Sequence, residues 1–204
     1  MEWSMAALAP GEKYTLLSDA VVPRPIAWVS TISPDGLVNV APFSWFNLVT
    51  NEPPLVAISI NRGKAGQPKD TARNLLAQGE CVIHLPSRAD VAKVAASGRN
   101  FAAHESEAEL LGLPLEPASR VAPPRLANAV LALEGRLYQH VPINGPAPGA
   151  AIVADHCLIE IVHLYAADAI WQDGRIHPEP FNPLMRLGGM DYGSIGARFD
   201  ASEG

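Results

Sequence analysis

Between Arg24 and Asn47 the chain reads RPIAWVSTISPDGLVNVAPFSWFN. Within it Ser30, Thr31, Asn39, Ser44 and Asn47 set uncharged hydrogen-bonding groups among Trp28, Phe43, Trp45 and Phe46. A ligand with a flat apolar body and a polar edge needs that mixture, because apolar walls hold it while a few placed polar groups orient it. The same residues also suit a half-exposed hairpin whose Ser, Thr and Asn face water. Composition by itself favours that plainer reading, since such alternation is common in antiparallel sheets. A second stretch, Lys69-Asp70-Thr71, opens a helix over Thr71 to Gln78, with Asp70 read as its N-cap and Gly79 as its stop. Free backbone N–H groups, a hydroxyl and an ammonium would converge there, which favours a bound anion such as a phosphate. Ordinary capping beside a solvated lysine explains the same residues, and ranks ahead on these residues alone.

Other chemistry has little support. Six histidines are spread along the chain at 84, 104, 140, 156, 163 and 177, with no i, i+4 pair on a helix and no metal-ligand spacing. His156 and His163 lie seven apart in a strand-like run, so they point to opposite faces and cannot share a metal there. No metal site is expected. There is no GxSxG elbow, P-loop or HExxH, and the absence of GxGxxG removes a Rossmann site by motif. No acid, base or nucleophile announces itself as catalytic.

The elements that would position these residues are mostly strands. Ile26–Ile32 and Leu37–Phe43 are rich in β-branched and aromatic residues, with the turn Ser33-Pro34-Asp35-Gly36 between them. Further strands are read at Leu55–Ile60, Cys81–Leu85, Val130–Val141 and Ala151–Tyr165, and short helices from Ser87 to Ala96 and from Ser106 to Leu111. Residues 1 to about 20 read as an irregular lead-in, Pro142–Gly149 as too rich in Pro and Gly for regular structure, and 175–204 as an irregular tail. The βα rhythm of a doubly wound sheet is missing, so the expected class is mainly β with short helices, curled into a closed or split barrel that hides its edges. The 204 residues fit one domain over 1–204.

Composition narrows the partners. A net charge of −6 with no lysine or arginine cluster argues against nucleic acid. No run of about 18 apolar residues exists to span a membrane, and residues 1–10 lack the form of a signal peptide. Cys81 and Cys157 sit in apolar runs without a CxxC, so buried free thiols and a cytoplasmic location are expected. A charged fraction of only 18% suits burial in an oligomer.

Taken together, three motifs resemble the flavin reductase-like family, the split-barrel proteins that bind flavin mononucleotide (FMN) and are related to flavoredoxin. They are RPIAWVST with Gly36, Asn39 and APFSWFN; KDTARN from Lys69 to Asn74; and RLGGMDY from Arg186 to Tyr192. The resemblance runs from Val21 to Gly193. Ile159-Glu160 lacks the glycine that relatives often carry before this Glu, and Glu134-Gly135 lacks a cysteine many carry after theirs.

The resemblance implies an FMN-binding split barrel whose flavin ring lies against the strand containing Ala27, Trp28 and Val29. Ser30, Thr31, Asn39, Ser44, Lys69 and Thr71 would hold the ribityl chain and phosphate. Ala41, Pro42, Phe43 and Asp70 belong to the same motifs, and Asn39 and Asn47 would meet polar ring edges. Arg186 and Tyr192 would reach the site from the tail, with Gly188 and Gly189 permitting close backbone approach. The implied activity is an NADH- or NADPH-dependent flavin reductase that passes electrons to an acceptor, including free flavin used by a partner monooxygenase or an electron-transfer protein. An electron carrier of the flavoredoxin kind and a flavin-binding protein without turnover are the alternatives. Relatives are homodimers, and a homodimer is expected here.

Overall fold

The computed structural model describes residues 1–63, 66–102 and 104–199. A helix, α1 (Pro10–Ala20), precedes the first strands: β1 (Arg24–Pro25), β2 (Ala27–Ile32), β3 (Val38–Phe43), β4 (Phe46–Asn51) and β5 (Pro54–Asn61). Then follow α2 (Asp70–Gln78), β6 (Glu80–His84), α3 (Val91–Ser97), α4 (Glu107–Leu110) and the two-residue strands β7 (Leu115–Glu116) and β8 (Arg125–Leu126). Two long strands, β9 (Leu131–Asn144) and β10 (Ile152–Ala166), lead to a tail with β11 (Trp171–Gln172), β12 (Arg175–Ile176), α5 (Pro178–Phe181), β13 (Met185–Arg186) and β14 (Tyr192–Gly193).

Seven strands form one sheet in the order β3-β2-β6-β9-β10-β5-β4, antiparallel at every pairing. The sheet curls until β3 packs against β5 without a hydrogen-bonded ladder between them, which makes it a split barrel. The hairpin turn behaves as its residues demand: Gly36 takes φ +85°, and the Ser33 hydroxyl accepts from the Leu37 N–H at 3.1 Å.

Period-2 alternation on β2 sends Ala27 and Val29 into one cluster with Ile58, Ile83, Ile159 and the α2 residue Leu75. Ile26 and Trp28 point the other way, into a second cluster with Val40, Val94 and Leu126. Both faces of β2 are therefore covered, one by α2 and the barrel wall, the other by α3, α4 and their connections. Most buried polar side chains are paired, Asn74 Oδ1 and His177 Nε2 being exceptions among the described residues. The Ser30 hydroxyl donates to Pro124 O at 2.6 Å, and Glu134 accepts the N–H groups of Ser119 and Arg120 at 2.8 and 2.6 Å. His84 is fixed from two sides. Its Nε2 accepts from the Leu126 N–H at 2.9 Å, so Nδ1 carries the proton and donates to Trp28 O at 2.7 Å.

The structure corrects the sequence reading in five places. The first is the 175–204 tail, expected to be irregular, which carries β12, α5, β13 and β14 because β13 pairs with β1 and β14. Residues 10–20 are helical: Pro10 occupies the first turn, where its missing N–H costs nothing, and Glu12 reaches back to the Ala9 N–H at 2.8 Å. Its apolar positions lack a clear helical stripe, so periodicity did not reveal it. Asp70 is the first residue inside α2, and Lys69 stands at the cap position with no side-chain cap bond. Strand β9 runs through Pro142 to Asn144, because beyond Arg136 it pairs with β10 alone and proline's missing donor is tolerated at a free edge. Residues 46–51 form an additional edge strand, β4, paired with β5. Among the described residues no helix is long and apolar enough to cross a membrane.

Candidate functional site

Strand β3 and the start of α2 meet in a cleft. Asn39, Thr31, Thr71 and Asn74 form a buried polar knot at its base. The Asn39 side-chain amide donates to Thr71 Oγ1 at 2.9 Å and to Thr31 Oγ1 at 3.3 Å, and the Asn74 amide donates to Thr31 Oγ1 at 3.1 Å. Thr71 Oγ1 accepts from Asn39 and, among the described residues, its own proton has no acceptor, so it is available to a ligand in the cavity that Thr71 lines. Above the knot a cavity of about 250 Å³ is lined by Ala41, Phe43, Lys69, Thr71, Arg99 and Glu107, among others. The exposed Lys69 ammonium lies 5.9 Å from the centre of the Phe43 ring.

A second cavity of about 270 Å³ adjoins the first, with Pro42, Phe43 and Gly98 lining both. Its other walls are Tyr14 of α1, Ser44, and Arg186, Met190 and Tyr192 of the tail. The Arg186 guanidinium stacks on Tyr192 at 4.5 Å and donates to Gly189 O. The tail reaches this place because β13 pairs with β1, setting Arg186 opposite Arg24. Arg24 is buried, and its guanidinium donates to Ser18 O, to Val21 O at 2.6 Å and to Leu187 O at 2.9 Å, with Nε 3.4 Å from Ser44 Oγ. One side chain thus fastens α1, β1 and the tail hairpin together.

The predicted residues divide clearly. Asn39, Ala41, Pro42, Phe43, Ser44, Lys69, Asp70, Thr71, Arg186 and Tyr192 line the joined cleft, and Thr31 lies beneath it. Ala27, Trp28, Val29 and Ser30 do not reach it with their side chains. Ala27 and Val29 are core, the Trp28 Nε1–H donates to Ser97 Oγ at 2.9 Å, and Ser30 is tied to Pro124. Both faces of β2 are buried, so the apolar wall of the cleft comes from Pro42 and Phe43 instead. The Asp70 carboxylate pairs with Arg73. Asn47 lies outside the joined cleft, in a neighbouring cavity, its Oδ1 accepting from the Leu48 N–H at 2.9 Å. Gly188 does make a close backbone approach, but to α1: a Cβ there would stand 2.0 Å from Asp19 Oδ1. Gly189 takes φ +54° in the tail turn.

Sequence reasoning missed Tyr14, the 97–101 segment and Glu107. Glu107 is buried, its carboxylate accepts from the Val40 N–H at 3.1 Å, and burial pushes its pKa above the ordinary value for Glu. Arg99 brings a second cation to the Lys69 end. The helix reading from Ser87 to Ala96 held the available signal, since a segment leaving a helix end beside β3 must pass the cleft. The Ser87 N–H donates to Asp90 Oδ2 at 2.9 Å, which is the carboxylate half of the capping box, and the Ser87 hydroxyl donates to the same oxygen at 2.9 Å.

Comparison with known proteins fits this geometry. Residues 19–179 match the flavin reductase like domain, and the chain belongs to that family. The protein BH2278 of Halalkalibacterium halodurans is 42% identical over 199 residues, covering 98% of this chain and 94% of its own. Nitrilotriacetate monooxygenase component B from Bacillus cereus superposes with a TM-score of 0.92 at 32% identity, covering 98% of both chains. The Pseudomonas fluorescens 2-nitrobenzoate 2-nitroreductase NbaA gives 0.87 at 29%, covering 98% of this chain and 94% of its own.

Proposed function

We propose that the joined cleft holds FMN and that the protein is an NAD(P)H-dependent flavin oxidoreductase. The observation that carries this reading is the adjacency of two unlike environments. Lys69, Arg99 and the free Thr71 proton make an anion-binding end, and Pro42 and Phe43 lead from it as an apolar wall to Arg186 and Tyr192. A phosphate wants N–H groups, hydroxyls and cations, while a tricyclic ring wants a dry flat surface, and the residues present fit both. When bound, FMN supplies the redox chemistry: it accepts hydride from a reduced nicotinamide and passes electrons to an acceptor. The chain's own residues then bind, orient and exclude water, so the reading asks no acid or base role of the two carboxylates that line the cleft, Asp70 and Glu107.

The similarity to a monooxygenase component supports an acceptor that serves a partner monooxygenase. A homodimer is part of the reading, supported by the exposed apolar residues Leu48 and Val49 on edge strand β4. So is a cytoplasmic location, supported by Cys81 and Cys157 standing as buried free thiols. The test is anaerobic addition of NADH or NADPH to protein loaded with FMN. Rapid bleaching of the long-wavelength flavin band is the expected result. Bleaching only with a reduced protein donor overturns the reductase reading in favour of an electron carrier, and failure to retain FMN overturns the site itself.

A further inference from the structure

Beside the joined cleft, and touching it at Ser44, lies a third cavity of about 450 Å³ that the flavin reading does not use. Its walls come from α1, the 21–25 segment, β4 and β5: Leu17, Val21, Pro23, Trp45, Phe46 and Ala57 make them largely apolar and partly aromatic. Among the described residues one charged side chain lines it, Arg24, and that guanidinium is taken up by three backbone carbonyls. Against this apolar surface stands a polar pair from neighbouring strands. His156 Nδ1 and Ser59 Oγ are 2.7 Å apart, on residues directly opposite each other in the β5–β10 ladder. With Nδ1 engaged by Ser59, Nε2 is the ring atom left for a ligand.

We infer that this cavity is a second binding site, for a neutral planar molecule of one or two rings carrying a single hydrogen-bonding oxygen such as a phenol or an aryl carbonyl. The volume falls within the range of small-molecule pockets, about 300–1,000 Å³. Aromatic walls suit a flat ring, and the absence of a free charge in the lining selects against a charged ligand, which would leave water without a counter-ion. His156, held by Ser59, supplies the directional contact. Shared Ser44 sets this ligand next to whatever fills the joined cleft, the arrangement an electron acceptor would need. Only that last role rests on the flavin reading; binding itself does not.

Calorimetric titration with 2-naphthol and with naphthalene-2-carboxylate, into flavin-free and FMN-loaded protein, tests it. The expected result is saturable one-to-one binding of 2-naphthol in both forms, at least tenfold tighter than the carboxylate. His156→Phe should weaken naphthol about tenfold, the loss of one hydrogen bond. Ala57→Phe should abolish binding by filling the space, and both variants should keep FMN affinity within twofold. Naphthol binding unchanged in His156→Phe and Ala57→Phe overturns the inference. Binding to the flavin-free protein alone also overturns it, because the cavity would then belong to the flavin ring. So does a lack of naphthol binding in a dimer whose Trp45 is shielded from a fluorescence quencher, since a second copy would then fill the cavity. Loss of FMN binding with naphthol binding retained would sink the flavin reading and leave this one standing.

Discussion

Thr71→Val isolates the polar knot at the base of the cleft. Valine matches threonine in shape, so the change removes the hydroxyl and little else. Two separate costs follow. In the flavin-free protein the Asn39 amide loses its 2.9 Å acceptor and retains Thr31 at a longer 3.3 Å. A buried hydrogen bond is worth about 0.5–1.5 kcal/mol net, and a donor left short of a partner adds to that, so a stability loss of about 1–2 kcal/mol is expected. The second cost falls only on the bound state, where the Thr71 proton no longer meets the ligand's anion. Hydrogen bonds to charged groups contribute about 1.5–3 kcal/mol, which predicts a Kd for FMN raised about 10- to 100-fold. Urea unfolding of the flavin-free protein measures the first cost, and quenching of FMN fluorescence on titration measures the second. Thr71→Ser, which keeps the hydroxyl, should restore most of the affinity. If Thr71→Val destabilises the protein yet binds FMN as the wild type does, Thr71 is a structural residue and the anion end lies elsewhere.

Two further outcomes probe the barrel that carries the cleft. His84 is buried and held neutral by Leu126 and Trp28, with its pKa lowered to about 4, chiefly by burial. The unfolded chain titrates this group near its ordinary value, about 6.5, and so binds the proton first as pH falls. Stability should therefore decline by about 3 kcal/mol between pH 6.5 and pH 4, and urea unfolding should find that part of the slope missing in His84→Gln. Gly135→Ala would set a Cβ 2.4 Å from Ile159 Cγ2, a side chain with no room to retreat because it is fully buried. A loss of about 1–3 kcal/mol is expected from overpacking, and a wild-type urea midpoint for this variant would count against the close β9–β10 packing.

Strands with alternating β-branched residues and explicit turns were legible in the sequence, because period 2 and the φ preferences of Gly36 and Gly79 act locally. That neither face of β2 lines the cleft was not. Ala27 and Val29 look as suited to a cleft wall as Pro42 and Phe43 do. Only the packing of α2, α3 and α4 against β2, a matter of contacts distant in sequence, decides between them. Thr31 shows the same limit from the other side: its hydroxyl faces inward and serves the site by holding Asn39 and Asn74. Helix α1 escaped notice because its apolar residues, Tyr14 and Leu17, stay half exposed and border cavities instead of filling a core. Tyr14, which stacks on Trp45 with ring centres 6.3 Å apart, could be assigned to the site only once that helix was seen.

The clasp made by Arg24 bears on how the molecule comes into being. A guanidinium at residue 24 grips carbonyls at 18, 21 and 187, so one wall of the cleft joins segments that leave the ribosome more than 160 residues apart. During synthesis the barrel strands can pair first, but the mouth near Tyr14 and Arg186 has no second lip until residue 187 has emerged. A nascent chain would therefore complete the Lys69 end of the cleft before the Arg186 end, and under the proposed flavin reading full retention of FMN would wait for residue 187.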